Sequence, residues 1–129
     1  MPAIAPIEVT GITPNMTFDP QRIDGPLASF VDSSTGISIG MPKLTSSLVL
    51  PSKKSKYARV RVRLVIPTLE TPAYEGAAPV LAFENFADIT FSLHERSDET
   101  QRTAIHAAMV EVLGDANVAA QVQTLASFY

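Results

Sequence analysis

Between Tyr57 and Ile66 the chain alternates strictly, with Ala58, Val60, Val62, Leu64 and Ile66 in one set of positions and Tyr57, Arg59, Arg61, Arg63 and Val65 in the other. A period of two belongs to a β-strand, whose successive side chains point to opposite faces, so this run predicts one apolar face and one face carrying three arginines. Pro67 is expected to close it. Upstream, Ile37, Ile39 and Met41 lead into Leu44, Ser46, Leu48 and Leu50 on one side, with Lys43, Thr45, Ser47 and Val49 on the other, which predicts a strand that changes partners partway. The segment PSKKSK, residues 51–56, separates the two runs and suits a hairpin loop.

After the loop ETPAYEGAAP (70–79), the runs Val80–Phe83 and Phe86–Leu93 predict one or two further strands. In the second, Ala87, Ile89, Phe91 and Leu93 face one way and Phe86, Asp88, Thr90 and Ser92 the other. Short connections imply antiparallel pairing. Residues 1–35 hold five of the ten prolines together with Gly11 and Gly25, and read as short strands broken by turns.

The period changes at Ser97. Ser97 is placed to cap a helix, Asp98 and Glu99 favour its N-terminus, and Ile105, Ala108, Met109, Val112 and Leu113 form a stripe at helical spacing before Gly114, a C-cap candidate. A second, shorter helix is expected after Asp115 or Asn117, burying Val118, Val122 and Leu125, and the terminal Phe128-Tyr129 suggests a docked end. Strands first and helices last predict an α+β architecture, an antiparallel sheet with helices on one face. A length of 129 residues suits one domain.

Composition narrows the chemistry. The chain is 46% hydrophobic with a net charge of -3, in the ordinary globular range, and has no cysteine, which removes disulfides, thiol nucleophiles and cysteine-based metal sites together. No apolar run approaches the roughly 20 residues of a membrane helix, and the start, MPAIAPIEVT, lacks the basic region of a secretory signal. None of the six glycines belongs to a phosphate-binding loop or a dinucleotide fingerprint. His94 and His106 stand twelve apart with no metal-ligand spacing around them, and no nucleophile elbow or paired-acid signature appears. No catalytic residue, metal, cofactor or small-molecule substrate is expected.

The net charge conceals an asymmetry. Seven of the ten cations (Lys43, Lys53, Lys54, Lys56, Arg59, Arg61 and Arg63) lie between Ser33 and Leu69, a window without an acid, so it carries +7; three cations against 13 acids leave the remainder at -10. Fields separated by more than a Debye length act independently, so an acidic total does not exclude a polyanionic partner. Arg59, Arg61 and Arg63 would project about 7 Å apart, near the spacing of successive phosphates, and Lys43, Thr45 and Ser47 could extend the patch from the neighbouring strand. Phe86 offers a plate on which an unpaired base could stack. The plainer readings are ordinary sheet packing for Phe86 and pairing of the arginines with Asp88 or Glu84 across strands.

The series KYARVRVRLVIP (56–67), a loop, LAFENFADITFSL (81–93), SDETQR (97–102), AAMVEVLGD (107–115) and a terminal FY resembles the coat proteins of single-stranded RNA bacteriophages, the leviviruses, over roughly residues 36–129. The resemblance implies an N-terminal hairpin (within 1–35), a five-stranded antiparallel sheet (36–94) and two C-terminal helices forming a dimerisation region (97–129), all one coat protein domain. It further implies an interlocked homodimer whose helices cover the partner's sheet, assembly into an icosahedral shell with the 70–79 loop at its vertices, and a virion built in the host cytoplasm. The inner face of such a shell binds genomic RNA, including a hairpin that represses replicase translation. By position, RNA contact falls on Lys43, Thr45 and Ser47, on Arg61 and Arg63, and on Phe86 and Asp88, and the arginine stripe adds Arg59. Three positions depart from the family pattern: Arg61 replaces a small hydroxyl residue, Phe86 a tyrosine and Asp88 an amide. The alternative is a cellular RNA-binding module that uses the same basic face without building a shell, and a weaker third is a small enzyme with a pocket between sheet and helices.

Overall fold

A computed structural model describes residues 4–10, 15–34 and 36–128. Its strands are β1 (Ile7–Val9), β2 (Met16–Asp24), β3 (Leu27–Val31), β4 (Lys43–Val49), β5 (Tyr57–Glu70) and β6 (Val80–His94), followed by helices α1 (Glu99–Leu113) and α2 (Ala116–Thr124). The strands form one sheet in sequence order, β1 to β6, each hydrogen-bonded to the next. The chain divides into two compact units, Met1–Ser92 and Leu93–Tyr129.

Within the first unit, the expected hairpin and five-stranded sheet are a single six-stranded sheet. β2 is long enough to serve two neighbours: Met16, Thr17 and Phe18 pair with β1, and Asp19 to Asp24 pair with β3 across an irregularity between Pro20 and Arg22. Gly25 turns the chain from β2 into β3 at φ 59°, a left-handed conformation that a side chain with a Cβ disfavours. β3 runs against β4 with Ser29 opposite Thr45, and β4 against β5 with Thr45 opposite Arg63, Ser47 opposite Arg61 and Val49 opposite Arg59. Because facing residues share a side, Ser29, Thr45, Ser47, Arg59, Arg61 and Arg63 occupy one face, while Phe30, Leu44, Ser46, Leu48, Val60, Val62 and Leu64 occupy the other.

The structure corrects several boundaries. Ile37, Ile39 and Met41 do not begin β4; the chain makes a 3-10 turn over Ser38–Gly40. Gly40 there lies under Leu69 of β5, so close that an added Cβ would stand 2.5 Å from Leu69 Cδ1. Pro67 does not close β5, which continues to Glu70. Its pairing with β4 has already ended at Val65, so the missing N–H of Pro67 interrupts no bond of that ladder. The two runs of 80–83 and 86–93 are one strand, β6.

Burial is concentrated near the β2–β3 hairpin. Phe18 (1% exposed) and Phe30 (7%) are the buried large apolar side chains among the described residues. Asp32, also buried, accepts the Ser34 N–H at 3.0 Å, while its own N–H donates to the Pro42 carbonyl at 3.0 Å, so the loop leaving β3 is satisfied locally.

In the second unit, Asp98 rather than Ser97 caps α1. Its carboxylate accepts the Gln101 N–H at 2.8 Å and the Gln101 side chain accepts the Asp98 N–H at 3.1 Å, a reciprocal capping box, while Ser97 Oγ donates to the His94 carbonyl at 2.6 Å. Gly114 is the C-cap as expected, with right-handed φ of -85°. Asp115 caps α2, accepting from the Asn117 and Val118 N–H groups. Leu125 ends α2 in the left-handed region at φ 57°. The expected buried side of α2 is not buried in the chain: Val122 and Leu125 are 71% and 89% exposed, and neither helix contains a buried residue. Phe128 is exposed as well, whereas Tyr129 and the Gly11 turn lie outside the described residues.

Candidate nucleic-acid interface

Strand pairing assembles the face that alternation foreshadows. The register of β4 with β5 puts Thr45 beside Arg63, Ser47 beside Arg61 and Lys43 beside Val65, so two hydroxyls and three cations share one surface with Arg59 at its end. β6 adds Phe86 and Asp88 to that surface, as their contacts with Arg61 and Arg63 require. All eight residues singled out from the sequence, Lys43, Thr45, Ser47, Arg59, Arg61, Arg63, Phe86 and Asp88, therefore belong to β4, β5 and β6 of the same sheet.

They are not equivalent electrostatically. Arg61 Nε donates to Asp88 Oδ1 at 3.0 Å, and Arg63 Nε lies 4.0 Å from Asp88 Oδ2, so one carboxylate serves two guanidinium groups. The hydrogen bond from Arg61 is the main reason the Asp88 carboxyl is held below its ordinary value; the positive charges of Arg61 and Arg63 act in the same direction, against partial desolvation. The same bond, with the charge of Asp88, pushes the Arg61 guanidinium upward. Both groups are solvent-exposed, so this pair sets orientation and local charge more than stability. Cross-strand pairing with Asp88, the plainer reading of the stripe, is thus present for Arg61 and Arg63.

Phe86 is 62% exposed and carries the Arg63 guanidinium over its ring, 5.0 Å from the centroid. That distance is within the range of a cation–π contact, and it leaves the aromatic group displayed on the surface. Next to it, Ser47, Val49, Arg59, Arg61, Asp88 and Thr90 line an open hollow of about 430 Å³. Thr90, for which the alternation predicts only a strand face, and Val49 enter the site through this hollow; period-two spacing from Asp88 and from Ser47 is the signal that points to them.

Among the described residues, no group of three His, Asp or Glu side chains is arranged to hold a metal ion, and no helix is long and apolar enough to cross a membrane. His94 lies at the end of β6, where its Nδ1 accepts the Arg96 N–H at 3.1 Å, and His106 lies within α1.

This fold is shared with solved phage shells. The structure is similar to the virus-like particle protein of Beihai levi-like virus 21, with a TM-score of 0.91, 23% identity and coverage of 99% of both chains. It is also similar to that of bacteriophage ESE058, with a TM-score of 0.86 and 25% identity over 99% of this chain and 100% of the other. The capsid protein of bacteriophage GA superposes with a TM-score of 0.80 and 18% identity over 98% of each chain. No curated protein sequence matches the chain. The family model described as levivirus coat protein matches residues 2–129, which includes the N-terminal segment that the resemblance in sequence motifs does not reach. With its signature running through strands and helices alike, the chain belongs to the levivirus coat protein family and is a capsid protein, a component of the virion.

Proposed function

We propose that this capsid protein is a non-enzymatic, cofactor-free homodimer that closes into an icosahedral shell and uses the β4–β5–β6 face to bind and package genomic single-stranded RNA. Its two units form one coat protein domain, completed by a second copy. The observation that carries the RNA reading is the gathering of Lys43, Arg59, Arg61 and Arg63, with Thr45 and Ser47, on one face opposite an apolar one. Such a face offers charge and hydroxyl donors to phosphates, and exposed Phe86 offers a stacking plate for an unpaired base, a contact worth roughly 1–3 kcal/mol. Asp88, its carboxylate turned to Arg61, is neutralised locally and does not face a phosphate as a free anion.

The dimer is supported by what the chain leaves uncovered. Large apolar side chains stay exposed in each unit, among them Leu48, Phe83 and Phe86 in the first and Val110, Val122 and Leu125 in the second. β6 ends the sheet order with 15 residues, an edge long enough to template pairing with another strand. A second copy, offering its own helices and edge, is the occupant that removes both kinds of exposed surface. Assembly in the bacterial cytoplasm and repression of replicase translation through an RNA hairpin complete the proposal.

The test of RNA binding is the variant R59A/R61A/R63A. Its affinity for RNA is expected to fall, with the salt dependence flattened by roughly 0.7 log units for every phosphate of a single strand that is no longer neutralised. Unchanged binding would discard the stripe as the site. Light scattering and electron microscopy of the purified protein are expected to show large uniform particles.

A further inference from the structure

Six of the seven cations of the basic window divide into two groups with different surroundings, and the seventh, Lys43, lies opposite Val65 at the far end of the β4–β5 ladder. At the centre of the face, Arg61 and Arg63 share Asp88 at 3.0 and 4.0 Å, so the three groups together carry +1, and Arg63 is also engaged over Phe86. At the β4–β5 end, Lys53, Lys54, Lys56 and Arg59 carry +4, and among the described residues no ion pair holds any of them.

The turn bearing the lysines is built rather than loose. Ser52 and Ser55 exchange backbone hydrogen bonds at 2.8 and 3.2 Å, Ser52 Oγ accepts the Lys54 N–H at 3.3 Å, and Ser55 Oγ accepts the Tyr57 N–H at 3.4 Å. The backbone is thereby held while the three lysines stay exposed, which reduces the ordering needed on binding. From Lys56 to Arg59 is about 10 Å of extended chain, on the order of one Debye length, so the fields of the four cations add. Arg59 also lines the hollow that continues toward Arg61 and Asp88, so the last cation of the tip borders the sheet face.

We infer that the dominant phosphate-binding surface of this chain is the β4–β5 tip, formed by Lys53, Lys54, Lys56 and Arg59, and that it takes the backbone of single-stranded RNA without regard to sequence. This rests on the RNA reading given above and relocates its electrostatic centre. A phosphate approaching Arg61 or Arg63 competes with a carboxylate already in place; at the tip there is no such competitor. Lysines without a base-reading partner supply affinity and salt dependence, not sequence discrimination.

The test is anisotropy of a labelled oligouridylate on the full-length protein, below its assembly concentration, across a salt series. For K53A/K54A/K56A the slope of log K against log salt is expected to flatten by about 2, and for R61A/R63A/D88A, which removes only one net charge, by at most about 0.7. Acylation of the unmodified protein, read by mass spectrometry, is expected to slow at Lys53, Lys54 and Lys56 when the oligonucleotide is added. A slope untouched in the lysine variant but flattened in R61A/R63A/D88A would overturn the inference while leaving RNA binding by the sheet face intact. Failure of the wild-type protein to bind the oligonucleotide at about 50 mM salt would instead remove the RNA reading, and this inference with it.

Discussion

The sheet unit and the helical unit are stabilised by different means. The first buries Phe18 and Phe30 and satisfies a buried Asp32, so it has the beginnings of a core within one chain. The second has well-made ends, a capping box at Asp98 and Gln101 and an N-cap at Asp115, but no buried residue in either helix. Helices of 15 and 9 residues are marginal in water without a packed face, however well capped. Capping decides where a helix begins; burial decides whether it persists. The contrast is between a unit with buried apolar side chains and one whose helices are well capped but hold no buried residue.

The largest expected effect falls on the first unit. Phe18→Ala should destabilise the protein by about 3–5 kcal/mol in chemical denaturation, because the side chain is enclosed and leaves a cavity. A loss below about 1 kcal/mol would mean that the sheet unit has no core of its own and would erase the contrast. Next comes Leu125→Ser. In a chain that keeps Leu125 exposed the change is worth within about 0.5 kcal/mol; if a second copy covers it, dimer stability should drop by about 1.5–3 kcal/mol, visible in sedimentation and in the concentration dependence of unfolding.

The smallest effect is electrostatic. Asp88 has a folded-state pKa below its ordinary 3.8, so the Arg61–Asp88 pair contributes stability that is complete above 3.8 and is lost as pH falls through the lowered value. Comparing wild type with Asp88→Asn in an acid titration should give a constant small difference from neutral pH down to that region, shrinking below it. A difference that vanished well above 3.8 would show that the pair does not form in solution.

Much of the sheet was legible because one signal, the period of two, survives wherever a strand has chemically distinct faces. Tyr57 to Ile66 is the clearest case, and its register with β4 put Arg61 beside Ser47 on one surface. The same signal misled at Ile37, Ile39 and Met41, where alternation continues into a 3-10 turn seated by Gly40 against Leu69, a contact nearly thirty residues away in the chain. Pro67 reads as a terminator because its cost cannot be judged without knowing that β4 stops pairing at Val65. The polar pair Glu84-Asn85 splits β6 in the pattern although the backbone runs through it. At α1 the shift from Ser97 to Asp98 is a single residue, decided by which side chain reaches the Gln101 N–H.

Charge asymmetry, the arginine stripe, the absence of cysteine and the order of strands before helices are properties of the chain as written, since each depends on residue identity and near-neighbour spacing alone. Which arginine keeps its charge available is not of that kind. Asp88 and Glu84 both lie on β6 within reach of a plausible register, and only the docking of β5 on β6 brings Asp88 to Arg61, 27 residues away, while leaving Arg59 at the open end. Electrostatic pairing falls off over a few ångströms, so long-range register, rather than composition, decides which part of a basic surface can still meet a phosphate.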